Sequence, residues 1–292
     1  MTVIHPTACI DSKAELGQGV EIGPNCCVGP HAILGDHTRL HNNVTVVGKT
    51  TLANGNELFP GAVLGAAPQD LKYKGGLTTL VVGNDNVFRE NVTAHVGTEI
   101  AGGQTRIGNH NQFMVGAHIA HDVIVGNGCI LPNYLQIAGH CHIEDCATMG
   151  GMVGVHHFCT IGRLSYTAGL TRVTIDVPPF MVFGGDPGRV RGVNANGMER
   201  WGMPGPAIQA IRQAYKELFS RRSVATGLTL SERLARVEHD SLVDSNLKVL
   251  VDSVRRSLVN GVHGRYLESC RTDGDVSRGD FYQAARQEAS RG

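Results

Sequence analysis

A period of six residues dominates this chain. From Leu16, every sixth residue is aliphatic: Ile22, Val28, Leu34, Leu40, Val46, Leu52, Leu58 and Leu64. The register returns at Val82, Phe88 and Ala94. It resumes at Ile107 and runs through Phe113, Ile119, Val125, Leu131, Ile137, Ile143, Met149, Val155 and Ile161, slips to Thr167, and ends at Val173. Gly often follows the aliphatic residue, as in Ile22-Gly23, Leu34-Gly35 and Val125-Gly126. No α-helix has this period, and an alternating strand does not fix Gly at such a spacing. One short strand and one corner per hexapeptide, wound as a parallel β-helix, satisfies both observations. The repeated aliphatic residue then points inward, and Gly or Asn supplies corners with positive φ. The 38 Gly and 5% aromatic residues agree with many tight corners around a thin core.

The period breaks twice, at 66–79 and at 97–104, where Pro and Gly cluster. Loops that leave a regular prism cost entropy, so a use for them is expected. Residues 1–180 are therefore read as the β-helix. After Asp176-Val177-Pro178-Pro179 the pattern becomes helical, defining a small domain over 181–265. Pro204 opens a segment with Ile208, Ile211, Tyr215, Leu218 and Phe219 on one face. Thr229 and Glu232 form a capping-box pattern, and Asp244 is placed to cap a helix bearing Leu247, Leu250, Val251, Val254 and Leu258. Residues 266–292 are polar and Gly-rich, and are expected to form a disordered or loosely attached tail.

Charge is balanced, 26 basic against 26 acidic residues, which gives no sign of nucleic-acid binding. No apolar run reaches the roughly 20 residues of a transmembrane helix. The N-terminus lacks the basic and apolar regions of a signal peptide, so a cytoplasmic location is expected. The eight Cys include no CxxC pair, and most are expected to be buried small hydrophobes.

The chemistry concentrates at Ala117-His118-Ile119-Ala120-His121-Asp122. A neutral imidazole can accept a proton from an alcohol near pH 7, and an adjacent carboxylate can fix its tautomer.

The hexapeptide pattern resembles the left-handed β-helix acyltransferases, whose triangular coils hold three hexapeptides each. The resemblance implies a mainly β fold: a left-handed parallel β-helix followed by a small C-terminal α-helical domain. Residues 18 apart then stack about 4.8 Å apart. His121 falls under Gly139, with His157 one coil further, and Asp122 falls under His140. A glycine amide beside the base is what an oxyanion hole requires.

Over roughly residues 1–260 the likeness becomes specific. Gln69-Asp70-Leu71-Lys72-Tyr73, Leu135-Gln136-Ile137-Ala138-Gly139-His140, Gly150-Gly151-Met152, Val155-His156-His157-Phe158-Cys159 and Gly192-Val193-Asn194 resemble the UDP-N-acetylglucosamine O-acyltransferase family, which opens lipid A synthesis. The resemblance implies transfer of a 3-hydroxyacyl group from an acyl carrier protein thioester to the sugar 3-hydroxyl. It makes His121 the general base, Asp122 its orienting neighbour and Gly139 the oxyanion donor. Gln69, His118, His140 and His157 line the sugar pocket, while Asp70 and Lys72 reach it from an adjacent subunit of a homotrimer. His95, Asn194 and Arg200 become further pocket or nucleotide contacts, and Met114, Tyr166 and Gly169 line the acyl groove. The implied partners are UDP-N-acetylglucosamine and the acidic carrier protein. Arg189, Arg191, Arg212, Lys216, Arg221 and Arg222 are candidate docking points for the carrier. No metal or organic cofactor is implied.

Four positions depart from the family pattern: Val96, His157, Asn196 and Trp201. They bear on the nucleotide contacts and the pocket rim, and none touches the His121–Gly139 pair. A related N-acyltransferase carries an extra N-terminal domain, for which a repeat beginning within the first twenty residues leaves no room. A zinc-dependent γ-type carbonic anhydrase uses the same prism, and His95, His118, His121, His140 and His157 offer a three-histidine site for it. That reading gives the 66–79 loop and the C-terminal helices no role. A non-catalytic scaffold is the third alternative.

Overall fold

The computed structural model describes residues 1–241, 244–257 and 261–271. Three sheets of two- to five-residue strands form the faces of a prism. The first has eleven strands from Val3–Ile4 to Arg189–Val193, the second nine from Cys9–Ile10 to Arg172–Val173, and the third eight from Glu15–Leu16 to Thr160–Ile161. Within these three sheets every strand pairing is parallel except the last, where Met181–Gly184 meets Arg189–Val193 antiparallel. The architecture is a left-handed parallel β-helix with a small helical part after it.

The period of six maps onto burial. Ile22, Val28, Leu34 and their successors are at most a few per cent exposed, and Phe88 stacks on Phe113 at 4.7 Å between ring centroids. Each such side chain contributes roughly 1.5–3 kcal/mol through removal from water. Even Thr167, where the aliphatic register slips, points inward and is fully buried.

Asn and Gly supply positive-φ corners as the sequence predicts, though not at the Gly that directly follows the aliphatic residue in pairs such as Ile22-Gly23, Leu34-Gly35 and Val125-Gly126. Positive φ falls three residues after the inward aliphatic, at Asn25, Asn43, Asp85, Asn91 and Asp122 among others. The Gly directly after the aliphatic serves close stacking instead. A Cβ on Gly17 would stand 2.8 Å from the Gly35 backbone of the next coil.

The two interruptions widen the pairing interval without breaking the sheets. Thr45 pairs with Val63 at the regular 18, but Glu57 pairs with Val87 and Val87 with Gln112. A buried ladder holds the coils together there. Asn86 Nδ2 donates to Asn56 Oδ1 at 3.0 Å, and Asn111 Nδ2 to Asn86 Oδ1 at 2.9 Å. Buried amides are tolerable only when so paired.

The helical part comprises α1 (Ala195–Arg200), α2 (Gly205–Leu218), α3 (Arg221–Val224), α4 (Leu230–Ser241), α5 (Ser245–Arg255) and α6 (Tyr266–Ser269). The capping box forms: Glu232 N–H donates to Thr229 Oγ1 at 3.2 Å, and Thr229 N–H to Glu232 Oε2 at 2.7 Å. Asp244 caps α5 through Asn246 and Leu247 N–H. Ile208, Ile211, Leu218, Leu247, Leu250 and Val254 pack with Leu164, Phe180 and Met181 of the prism. Leu258 lies outside the described residues. Among the described residues, no helix is long and apolar enough to cross a membrane.

Two expectations are corrected. The chain after residue 265 is not loose as far as it is described, because Tyr266 N–H donates to Asp176 Oδ2 at 2.9 Å and docks α6 on the prism. The rest of the expected tail, 272–292, lies outside the described residues. Four of the eight Cys, Cys26, Cys129, Cys141 and Cys159, are buried, not most of them. Burial pushes the thiols of Cys129 and Cys141 up to about 12.

Candidate active site

The strand His118–Ile119 belongs to the second sheet and Ile124–Val125 to the third. Between them the chain turns at His121 and Asp122, the latter at φ 58°. Asp tolerates this left-handed conformation better than most L-residues. His121 Nδ1 lies 2.8 Å from Asp122 Oδ2. Thr98 donates its N–H to Asp122 Oδ1 at 2.8 Å and its hydroxyl to Oδ2 at 2.6 Å. Asp122 N–H in turn donates to Thr105 Oγ1 at 2.8 Å. The carboxylate is thus fixed from several sides, and it orients the ring. With the proton on Nδ1, Nε2 is left as the acceptor of a substrate proton.

One coil above, Gly139 covers the ring. A Cβ there would stand 2.5 Å from His121 Cε1 and 2.7 Å from Nε2, so only glycine fits. Ala138 N–H donates to Val155 O and His140 N–H to His121 O. Between them, Gly139 N–H has no acceptor among the described residues.

A cavity of about 410 Å³ opens here, lined on the coil side by His121, Gly139, His140, His157 and Phe158. Gln69, Asp70 and Lys72 line it from the first loop. Asp70 Oδ2 is 4.0 Å from His121 Nε2, and Lys72 Nζ is 4.0 Å from Asp70 Oδ2. Here the sequence expectation is corrected: Asp70 and Lys72 reach the base of their own chain and need no neighbour to do so. The second interruption explains this, because Glu99 Oε1 accepts the N–H groups of Lys74 and Gly76 and clamps the first loop down.

His157 is neutral at physiological pH, pushed down to about 4 by burial first and then by the neighbouring His156. His95 and His118 form a second group on the second sheet. Their rings meet edge-on at 4.8 Å, and His118 Nδ1 lies 2.7 Å from Thr93 Oγ1. Burial, then the charges of His118 and His121, lowers His95 to about 4; burial followed by His121 lowers His118.

The remaining candidates lie elsewhere on the chain. Met114 follows a first-sheet strand, Tyr166 lies in another, and Gly169 sits at the corner after it. Asn194 caps α1 by accepting from Gly197 N–H at 3.2 Å, and its Nδ2 donates to Leu164 O at 2.8 Å. Arg200 ends α1, exposed. Of the four departures, Val96 is buried, Asn196 is exposed, and Trp201 is 52% exposed with its ring edge against Gly128. None of these lines the His121 cavity.

Sequence reasoning missed four residues: Thr98, Thr105, Glu99 and Arg271, which also lines the cavity. Only the position of Thr98 and Glu99 inside the second interruption signalled anything. As for zinc, His121, Asp122 and His140 are the one group whose ligand atoms all lie within 4.8 Å among the described residues. That group offers two imidazoles, not the three-histidine set, and Thr98 already occupies both carboxylate oxygens.

A parallel β-helix that sets an imidazole–carboxylate pair beneath a glycine amide belongs to the hexapeptide-repeat acyltransferase class. A family model described as "Udp N-acetylglucosamine O-acyltransferase; Domain 2" matches residues 176–262. An acyl-[acyl-carrier-protein]--UDP-N-acetylglucosamine O-acyltransferase of Anaeromyxobacter sp. (strain Fw109-5) is 48% identical over 235 residues, 80% of this chain and 90% of that protein. Its counterpart in Pseudomonas fluorescens is 40% identical over 257 residues, covering 88% and 98%. The crystal structure of the UDP-N-acetylglucosamine acyltransferase of Bacteroides fragilis superposes with a TM-score of 0.82 at 37% identity, covering 87% of this chain and 97% of that one. The chain belongs to the UDP-N-acetylglucosamine O-acyltransferase family.

Proposed function

We propose that this enzyme moves a 3-hydroxyacyl group from an acyl carrier protein thioester to the 3-hydroxyl of UDP-N-acetylglucosamine, in the cytoplasm, as the first step of lipid A synthesis. The observation that carries the residue roles is the 2.8 Å His121–Asp122 contact directly beneath Gly139. His121 Nε2 takes the hydroxyl proton as the sugar oxygen forms its bond to the thioester carbon. Gly139 N–H receives the developing oxyanion. Collapse breaks the C–S bond, and the imidazolium returns its proton to the departing thiolate. Lys72, Asp70, Gln69, His140 and His157 hold the sugar from around the cavity.

The assembly we propose is a homotrimer. Met114, Tyr166, Gly169, Asn194 and Arg200 lie on or beside the first sheet, whereas His121 sits between the second and third. A threefold packing of prisms brings one chain's first face to its neighbour's base, which supports a shared site. The helical part after the prism carries the carrier-protein contacts. Arg189 and Arg191 on the last strand, and Arg212, Lys216, Arg221 and Arg222 in the helical part, are all exposed.

The test is to incubate the protein with UDP-N-acetylglucosamine and a set of 3-hydroxyacyl carrier proteins and to identify the product by mass. A singly O-acylated nucleotide sugar is expected. In His121→Ala, kcat should fall by about 10²–10⁴-fold with the fold intact. Near-normal turnover in that variant would falsify the assignment of the base.

A further inference from the structure

A second cavity, of about 380 Å³, lies between the end of the prism and the helical part, and it shares no lining residue with the His121 cavity. Its walls are mainly apolar. Pro178 and Phe183 come from the prism end, Leu218 from α2, Leu230 from α4 and Val254 from α5. Ile175 and Val224 also line it and are 38% and 55% exposed, so its mouth is apolar as well.

Arg233 breaks this pattern. Leu230, Arg233, Leu234 and Val237 of α4 are spaced three and four apart and share one face. That face packs inward, and Arg233 at 8% exposed is nearly as buried as Leu234 and Val237. A buried arginine ordinarily has an acidic partner. Here Nη1 donates to Leu218 O, the last carbonyl of α2, and Nε donates to Thr229 O at 3.4 Å. Both acceptors are neutral. Among the described residues no carboxylate pairs with Arg233, and its Nη2 has no acceptor. The cavity's own carboxylate, Asp176, is spent on Thr160 N–H, Tyr266 N–H and the Ser257 hydroxyl.

We propose that this cavity binds a fatty carboxylate, with its head group on the free edge of Arg233 and its chain along the apolar walls. A guanidinium carries five N–H donors in a planar fork that fits a carboxylate, and two carbonyl contacts leave donors for one. Such a ligand supplies the counter-charge that α4 lacks where it carries a cation into the interior. The cavity volume falls within the roughly 300–1,000 Å³ of small-molecule sites, which are likewise mostly apolar with a few convergent polar groups. Arg189, an exposed residue that also lines it, adds a second positive charge to attract an anion. The site does not depend on the proposed reaction.

Calorimetric titration of the full chain with dodecanoate, below its micellar concentration, and with dodecanol tests the site. One dodecanoate per chain is expected, bound at least about tenfold more tightly than the alcohol, which leaves the guanidinium without a counter-charge. Arg233→Met should abolish that preference, and Arg233→Lys, which keeps the charge without the fork, should retain part of it. Arg233 also holds the end of α2, so its replacement can loosen the helices. Val224→Asp instead changes an exposed residue at the mouth. It should weaken dodecanoate by about tenfold through like-charge repulsion, with the thermal midpoint of the free protein unchanged. Wild-type binding of neither compound, or of both equally, overturns the proposal. So does dodecanoate binding that survives both Arg233→Met and Val224→Asp, since the acid then occupies another groove. Should Arg233→Met fail to fold, undiminished binding by Val224→Asp is enough to overturn it.

Discussion

Thr98 grips Asp122 by two hydrogen bonds, 2.8 Å from its N–H and 2.6 Å from its hydroxyl, across a break in the repeat. The second interruption therefore supplies the support that a corner aspartate lacks in a regular coil. Replacing Thr98 with Val removes the hydroxyl at nearly constant shape. Losing one hydrogen bond to a charged group corresponds to about 1.5–3 kcal/mol, so kcat should drop by about tenfold or more. KM for the nucleotide sugar should stay within twofold, and Thr98→Ser should restore the rate. Steady-state kinetics check this, and a Thr98→Val enzyme with wild-type kcat would show that Asp122 needs no such support.

Two histidines with lowered pKa values make stability depend on pH. His95 and His157 are both pushed down to about 4, each chiefly by burial. The unfolded chain, with ordinary histidines near 6.5, binds more protons than the native one between these values. Stability is therefore fully present above about pH 6.5 and declines as pH falls towards 4. The urea midpoint of the wild type should decline over that window, and His95→Gln should flatten part of the decline. Parallel profiles for the two proteins would remove His95 from the account.

Much of this was legible in the sequence, because a one-dimensional repeat leaves little freedom. Once Ile119, Ile137 and Val155 point inward at intervals of 18, the stacking of His121 under Gly139 follows from counting. Interruptions defeat counting. Nothing in Gln69-Asp70-Leu71-Lys72 says where an inserted loop folds back, and the Glu99 clamp that turns it onto its own chain's base joins two breaks. The Asn56–Asn86–Asn111 ladder was hidden for the same reason: its members are 30 and 25 residues apart, not 18. Arg271 carried no signal, since a polar Gly-rich segment looks loose until Asp176 is seen to hold it.

Geometry within one chain also decides how mutant chains should combine. Lys72 and His121 line the same cavity of the same chain. Mixing Lys72→Ala chains with His121→Ala chains should therefore give no more activity than the two separate enzymes. Arg200 lies at the end of α1, away from that cavity, and in the proposed homotrimer it comes from the neighbour. Arg200→Ala chains refolded with His121→Ala chains should regain activity, since roughly a quarter of the sites in random trimers carry both intact residues. Recovery in the first mixture and not the second would reverse the assignment of chains to sites.

The acyl chain length is the last property within reach. Tyr166 projects from a first-sheet strand, 37% exposed, and pairs with Thr148 of the coil before it. Gly169 follows at the next corner, where an added Cβ would meet Gly151 O at 3.3 Å. A side chain there must lean outward, into the groove between subunits that the homotrimer proposes. Each methylene accommodated or refused is worth about 0.8 kcal/mol, which yields preference without absolute exclusion. The bare Gly169 leaves room for a long chain, while the ring of Tyr166 narrows the same path. Tyr166→Ala should therefore shift the preferred 3-hydroxyacyl carrier protein to longer chains. Gly169→Met should shift it sharply to shorter ones, with kcat on the shortest donors preserved. Competition among donors of graded length, read by product mass, measures both shifts, and an unchanged profile in the two variants would place the ruler elsewhere in the groove.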